Sequence, residues 1–472
     1  MLMKKGFLIG GVLLTVGLAL QATAGPVCWD SLAYPVNLTV LIAFLVLLVA
    51  AWLLRNKVYL FSWMMHLGAA VPALIYALAL TILMGLTPQR NDGAGIPWLS
   101  QMRSFWPFVL IYAWMMTIAG LATLNHLLRF QVREIPFLLN HLGLFLALVC
   151  GALGASDTQR LHMTVREGET ENRAVDETGI VHELDFSMEL HDFMMEEYPA
   201  RPGTGMRMPK RFASDVTVHT KEGEAIPAVI DVNKPLKMGG WIVYQYDYDE
   251  QMGARSEISV FELVREPWQP FVRAGIWMML AGALCLIGMK YVPKRKWVLL
   301  AAVLLTGLFT FLTVTRMGPS AQSMPPALQS PWFIPHLIVY MAGYAMLATA
   351  TAMAAYRLLR CRVKPGMTKG QPGMDMIDNL VYAGLAFLTF GMLFGALWAK
   401  EVWGGFWGWD PKETWAAITW LCYLLYIHFR RAHPREPRGA LILLLLAFLC
   451  LQMCWWGINY LPAARGFSVH TY

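Results

Sequence analysis

Two groups of residues in this chain have types and spacing suited to chemistry: a tryptophan-rich loop, and histidines scattered among apolar segments. The loop reads Trp403-Gly-Gly-Phe-Trp407-Gly-Trp409-Asp410-Pro-Lys-Glu-Thr-Trp415, with four tryptophans between two strongly apolar runs. Indole rings favour the membrane–water interface, so the cluster makes a flat aromatic platform, and a flat platform suits a planar ligand such as haem. Its end also reads as a helix start: Asp410 as N-cap, Pro411 at the first helical position and Glu413 reaching back. Capping accounts for Asp410 and Glu413 without chemistry, and makes Trp407 and Trp409 better candidates for ligand contact than Asp410. Histidine inside a membrane span is costly, and so is functional by default. Two imidazoles at one depth can hold a haem iron from both faces.

Composition sets the elements that must position these groups. The 472 residues are 57% hydrophobic and only 15% charged, with a mean hydropathy of +0.46. Soluble domains average about 25% charged residues, so this is an integral membrane protein. Apolar runs near 37–54, 58–86, 106–128, 134–154, 270–289, 297–315, 333–356, 377–397, 414–429 and 439–457 are long enough to span. Residues 1–24 read equally as a signal peptide or as a first span. The class is therefore a polytopic α-helical membrane protein of 10–11 spans. The net charge of +7 reflects topology rather than nucleic acid, because the basic residues gather in short loops. Clusters such as Lys290/Lys294/Arg295/Lys296 and Arg430/Arg431/Arg435/Arg438 mark one side as cytoplasmic. The tryptophan loop, residues 155–268 and the C-terminal tail then face outward. Residues 155–268 alternate apolar and polar at period two, as in Trp241-Ile-Val-Tyr-Gln-Tyr-Asp-Tyr, and predict an antiparallel β domain outside the membrane. None of the seven cysteines forms a Cys-x-x-Cys pair, so a thiol-oxidoreductase role has little support.

With sides assigned, the histidines can be ranked by depth. At about 1.5 Å per residue, His428 lies roughly 21 Å below the outer start of its span and His141 roughly 10 Å above the inner end of its own. In a core of about 30 Å they share a level. His66 reaches a similar depth in the run 58–86, so spacing leaves both His141 and His66 open as partners for His428, and a helix–helix hydrogen bond is the alternative role. His126 and His433 fall at cytoplasmic ends among arginines. His336 opens a span at the outer surface and His470 lies in the outer tail, where two histidines flanking an aromatic platform could present a haem to the exterior. The other reading of that pair is a loop histidine and a terminal one. His162, His182, His191 and His219 alternate like surface residues of the β domain.

The run from Trp403 to Trp415, continued by Ile418-Thr-Trp420 and Tyr426-Ile-His428, resembles the "WWD" signature of haem-handling proteins, in the version carried by CcsA of the system II cytochrome c pathway. The tail Phe467-Ser-Val-His470-Thr-Tyr472 is similar to that family's closing element, with Thr in place of Ser, and His336 matches its other external histidine. Leu138-Leu-Asn-His141-Leu-Gly-Leu, Arg166-Glu-Gly-Glu-Thr and Val232-Asn-Lys-Pro-Leu-Lys-Met-Gly-Gly-Trp resemble the partner subunit ResB. The resemblance covers roughly 105–472, favours His141 over His66, and implies a fused ResB–CcsA chain: membrane spans over 25–154 (ResB-like from about 105), a β domain over 155–268, and a CcsA-like part over 269–472. It implies a cytochrome c synthase of a bacterial inner membrane, with the β domain, the loop and the C-terminus periplasmic. Haem b would be held by His141 and His428, then by His336 and His470 with Trp403, Trp407, Trp409, Asp410 and Trp415 around the porphyrin. Apocytochrome c and a thiol-reducing protein would be the partners. A haem transporter that makes no bond, or a dihaem b protein serving a quinone, are the other classes the residues allow.

Overall fold

Long apolar runs satisfy their backbone polar groups internally by forming helices, and the run lengths here set most of the architecture. The computed structural model describes residues 2–89, 96–199, 208–287, 304, 307, 325–363 and 373–464. Among these, nine helices are long and apolar enough to cross a membrane: Met3–Ala24, Val36–Leu54, Leu67–Leu86, Trp106–Leu127, Val132–Asp157, Gln269–Leu286, Phe333–Arg360, Met374–Trp403 and Pro437–Trp455. A further helix, Pro411–Ala432, covers the expected run 414–429 and carries His428. The run 297–315 falls almost entirely outside the described residues. His470 lies outside them too.

One expected span is divided. The run 58–86 forms a short helix, Tyr59–Met64, and a separate one, Leu67–Leu86, with His66 as the N-cap of the second. His66 therefore marks a helix start and not the middle of a span. The residues at the break are mostly apolar, so hydropathy carries no trace of it. The helix Leu2–Ala24 packs into the bundle: the Tyr76 hydroxyl donates to the Phe7 carbonyl at 2.9 Å, and Gly17 leaves room for Pro107.

The polar insertion is an eight-stranded antiparallel sheet. Its strands are β1 (Gln159–Arg166), β2 (Thr170–Asp176), β3 (Val181–Glu197), β4 (Pro209–Thr220), β5 (Ala225–Asp231), β6 (Leu236–Met238), β7 (Trp241–Tyr248) and β8 (Ile258–Arg265). They run in the order β5-β4-β3-β2-β1-β8-β7-β6. Ser214 of β4 bonds to Gln245 of β7 at 2.7 Å and to Ser259 of β8 at 2.5 Å, so the sheet curls back over an apolar core that includes Met163, Met188, Val216 and Phe261. Alternation of side chains across each strand supplies that one-sided core.

A carboxylate pins the junction of sheet and membrane helices. Asp157, just beyond the His141 helix (Ile135–Gly154), accepts from Asn37 Nδ2 at 2.7 Å, from the Tyr34 amide at 2.7 Å and from Trp268 Nε1 at 2.7 Å. Within the bundle the His141 helix crosses Gln269–Leu286 with backbones touching: a Cβ on Gly275 would lie 2.6 Å from the Gly143 carbonyl oxygen, and one on Gly143 would lie 2.7 Å from that of Gly275.

Candidate haem-handling site

Inside the bundle the structure brings His141 and His428 together, with ring centroids 6.4 Å apart and planes at 63°. Each imidazole is oriented by the helix that carries it. His141 Nδ1 lies 3.0 Å from the Phe137 carbonyl and His428 Nδ1 lies 2.8 Å from the Leu424 carbonyl. A carbonyl only accepts, so both Nδ1 atoms carry the proton and both Nε2 atoms keep a lone pair. That tautomer is a metal-binding one, with the backbone carbonyl fixing the ring from behind. Both residues are only partly buried.

Three hydrogen bonds set the rotation of the His428 helix. Trp415 Nε1 donates to the Gly85 carbonyl at 3.1 Å, Trp420 Nε1 to Thr389 Oγ1 at 3.0 Å and the Tyr426 hydroxyl to Asp378 at 2.8 Å. Arg430, near the end of that helix, pairs with Asp378 at 3.2 Å. The same helix packs Leu421 and Leu425 against Val71 and Leu74 of Leu67–Leu86. On the other side, the Phe137 ring stacks on His141 at 3.8 Å, and His126 lies against Phe137 at 4.0 Å while pairing with Glu134 at 3.0 Å.

The donor set fits an iron that brings its own equatorial ligands. No group of three or more His, Cys, Asp or Glu side chains that could hold a bare metal ion occurs among the described residues. A metal–imidazole bond is about 2 Å, so two axial imidazoles on one metal have ring centres about 6 Å apart. The observed 6.4 Å matches that span.

Nearer the sheet, His336 sits close to the start of Phe333–Val363, with Nδ1 2.8 Å from the Gly391 carbonyl. Gly395 leaves room for the ring, since a Cβ there would lie 2.9 Å from His336 Cε1. His336 packs against Tyr340 at 4.7 Å and Trp398 at 5.7 Å, and Trp398 against Trp403 at 5.3 Å. An aromatic chain therefore joins this histidine to the first residue of the tryptophan loop. Trp407 and Trp409 form a perpendicular pair at 6.0 Å, and Trp409 contacts Phe108 at 6.1 Å. Trp409 holds a left-handed backbone, φ 57°, a conformation that residues other than Gly, Asn and Asp seldom adopt.

Two loop residues have structural placements. Asp410 is the N-cap, accepting from the Lys412 amide at 2.8 Å, while Glu413 accepts from the Asp410 amide at 3.1 Å and the Gly408 amide at 2.8 Å. Trp415 is 4% exposed, in the core between the His428 helix and Leu67–Leu86. Trp332, Tyr340, Trp398, Lys400 and Glu401 surround His336 and the loop entry, yet no motif singles them out. Asp378 had a signal: a carboxylate at the edge of an apolar run. Three histidines of the sheet bond to their own neighbours, His182 to Asp176, His191 to Thr217 and His219 to Glu189.

Comparison with known proteins places both halves. Residues 129–256 match the ResB-like family and residues 275–464 match the Cytochrome C assembly protein family. Among similar proteins, the cytochrome c biogenesis protein CcsA of Chlamydomonas reinhardtii is 34% identical over 174 residues, 36% of this chain and 48% of that protein. CcsA of Prochlorococcus marinus (strain MIT 9301) is 30% identical over 181 residues, 32% of this chain and 57% of that protein. CcsA of Solanum lycopersicum is 31% identical over 206 residues, 36% of this chain and 64% of that protein. The matched segments thus span roughly half or somewhat more of the length of these relatives. One polypeptide thus carries a ResB-like region followed by a cytochrome c assembly region, the arrangement of a fused ResB–CcsA cytochrome c biogenesis protein.

Proposed function

We propose that this protein takes up haem b on the cytoplasmic side of a bacterial inner membrane, carries it outward and attaches it to apocytochrome c as a holocytochrome c synthase. The observation that carries the proposal is the His141–His428 pair, with both Nε2 atoms left to bind and ring centres at the spacing of two axial ligands. Histidines on both faces saturate the iron and shield it from oxygen during passage. At the outer site, on the side of the sheet, His336 and His470 take over the iron, and Trp403, Trp407 and Trp409 stack on the porphyrin.

The chemistry asks little of the protein. An apocytochrome Cys-x-x-Cys-His segment brings two thiols, and each S–H adds across one haem vinyl group to give a thioether, with no net change of oxidation state. The thiols must be reduced, which is where a thiol-reducing protein would act. The incoming histidine displaces one imidazole of the pair. Positioning is the catalysis, because holding thiols against vinyl carbons replaces a bimolecular encounter. Asp410 keeps the loop in register by starting its helix.

Expression of the chain with an apocytochrome reporter, in a host without its own maturation system, tests the proposal. Wild-type chain is expected to leave haem on the reporter after denaturing electrophoresis, and His336→Ala and His470→Ala are expected to abolish it. A reporter without covalent haem, from a chain that still binds haem, would point to a carrier and overturn the synthase reading. Normal maturation in both variants would overturn the outer-site assignment.

A further inference from the structure

The end of Met374–Trp403 meets the sheet through contacts that haem binding does not itself require. Lys400 is 6% exposed, and its Nζ donates to Glu266 at 2.7 Å and to the Gly404 carbonyl at 2.7 Å. From the sheet, the Tyr244 hydroxyl donates to the Lys400 carbonyl at 2.9 Å. Burial, with Glu266 and Glu262 close by, raises the Tyr244 phenol well above its ordinary value, so it stays a donor. Arg160 pairs with Glu262 at 2.7 Å and reaches the Trp403 carbonyl at 3.3 Å. The backbone passes close by: Gly404 has φ 71°, a conformation that favours glycine, with its Cβ position 2.9 Å from Glu262 Oε2, and the Cβ position of Gly405 is 2.8 Å from Arg160 Nη2.

The neighbouring side chain points elsewhere. Glu401 accepts from Ser330 Oγ at 2.8 Å and from Trp332 Nε1 at 2.9 Å, just before the helix that carries His336. Consecutive residues therefore tie the entry of the tryptophan loop to the sheet on one side and to the His336 segment on the other.

We infer that Lys400 and Glu266 are positioning residues of the outer haem site, the pair through which the sheet domain fixes the tryptophan loop relative to His336. The inference rests on the haem reading above. A buried ion pair is poor evidence for stability, since apolar replacements of similar size are often as stable. Its value lies in direction: this ammonium reaches a carboxylate just past the last strand and a loop carbonyl at once.

The test uses the full chain with the apocytochrome reporter, carrying Lys400→Met, Glu266→Gln, both together, or Lys400→Arg. Chain level in the membrane, the absorption spectrum of bound haem and covalent haem on the reporter are read for each. Both single variants are expected to keep haem at the His141–His428 pair, to lose the outer-site haem signal and to lower covalent haem by about 10–100-fold, the scale of loss for a displacement near 1 Å. Lys400→Arg is expected to recover most of it. Wild-type spectrum and covalent haem in both single variants would overturn the inference. Should either single variant fail to accumulate, the neutral double variant leaves no lone buried charge, and wild-type covalent haem in it overturns the inference equally. Failure of the haem reading shows differently: the wild-type chain itself then gives no covalent haem.

Discussion

The Phe137 and Leu424 carbonyls decide what His141 and His428 can do, because each accepts a hydrogen bond from Nδ1–H and leaves Nε2 for a metal. Spacing along the chain puts the two at one depth, but the tautomer follows from a contact one helical turn away that depth does not reveal. Spacing also leaves His66 open, and the helix start at Leu67 separates that residue from the middle of its span. Trp409 shows the same division between motif and contact. Its left-handed backbone costs about 1–2 kcal/mol for an L residue. Trp409→Gly is therefore expected to keep or raise chain level in the membrane while lowering outer-site haem, measured by blot and absorption spectrum. Asp410→Asn, which still caps, is expected to change neither, whereas Asp410→Ala is expected to cost about 1 kcal/mol of stability without altering the haem spectrum. A spectral change in Asp410→Asn would make the carboxylate a ligand contact.

At the scale of elements, glycine crossings and aromatic hydrogen bonds hold the pair in place. Gly143 and Gly275 let the His141 helix approach Gln269–Leu286 to backbone contact. Gly275→Val is expected to force that crossing open, at about 1–3 kcal/mol, and to swing His141 away from His428, with loss of intramembrane haem in the purified chain. Gly151→Ala, on the His141 helix with open space around its Cβ, is the matched control and is expected to keep it. Element type was legible wherever one constraint dominated: the length of an apolar run for most helices, and period-two alternation for strands such as Trp241–Tyr248. It was not legible at Met65–His66, where an apolar run hides a break, because hydropathy reports burial and not backbone direction.

At the scale of the whole molecule, the His141–His428 pair exists only because two halves meet. His141 lies in the ResB-like region and His428 in the cytochrome c assembly region, and each is oriented by its own helix. The helix Leu67–Leu86, which precedes both regions, supports the His428 helix through the Gly85–Trp415 hydrogen bond and the packing of Val71 and Leu74. Family resemblance carried the order of the halves, while the contacts between them join residues as far apart in sequence as Lys400 and Glu266 and leave no local pattern. Electron paramagnetic resonance of the purified chain with bound haem, in a His336→Ala background that removes the outer bis-histidine site, tests the pairing most directly. The account predicts a low-spin, bis-imidazole ferric signal that is lost in both His141→Ala and His428→Ala and kept in His66→Ala. The same signal, unchanged in both His141→Ala and His428→Ala, would contradict it.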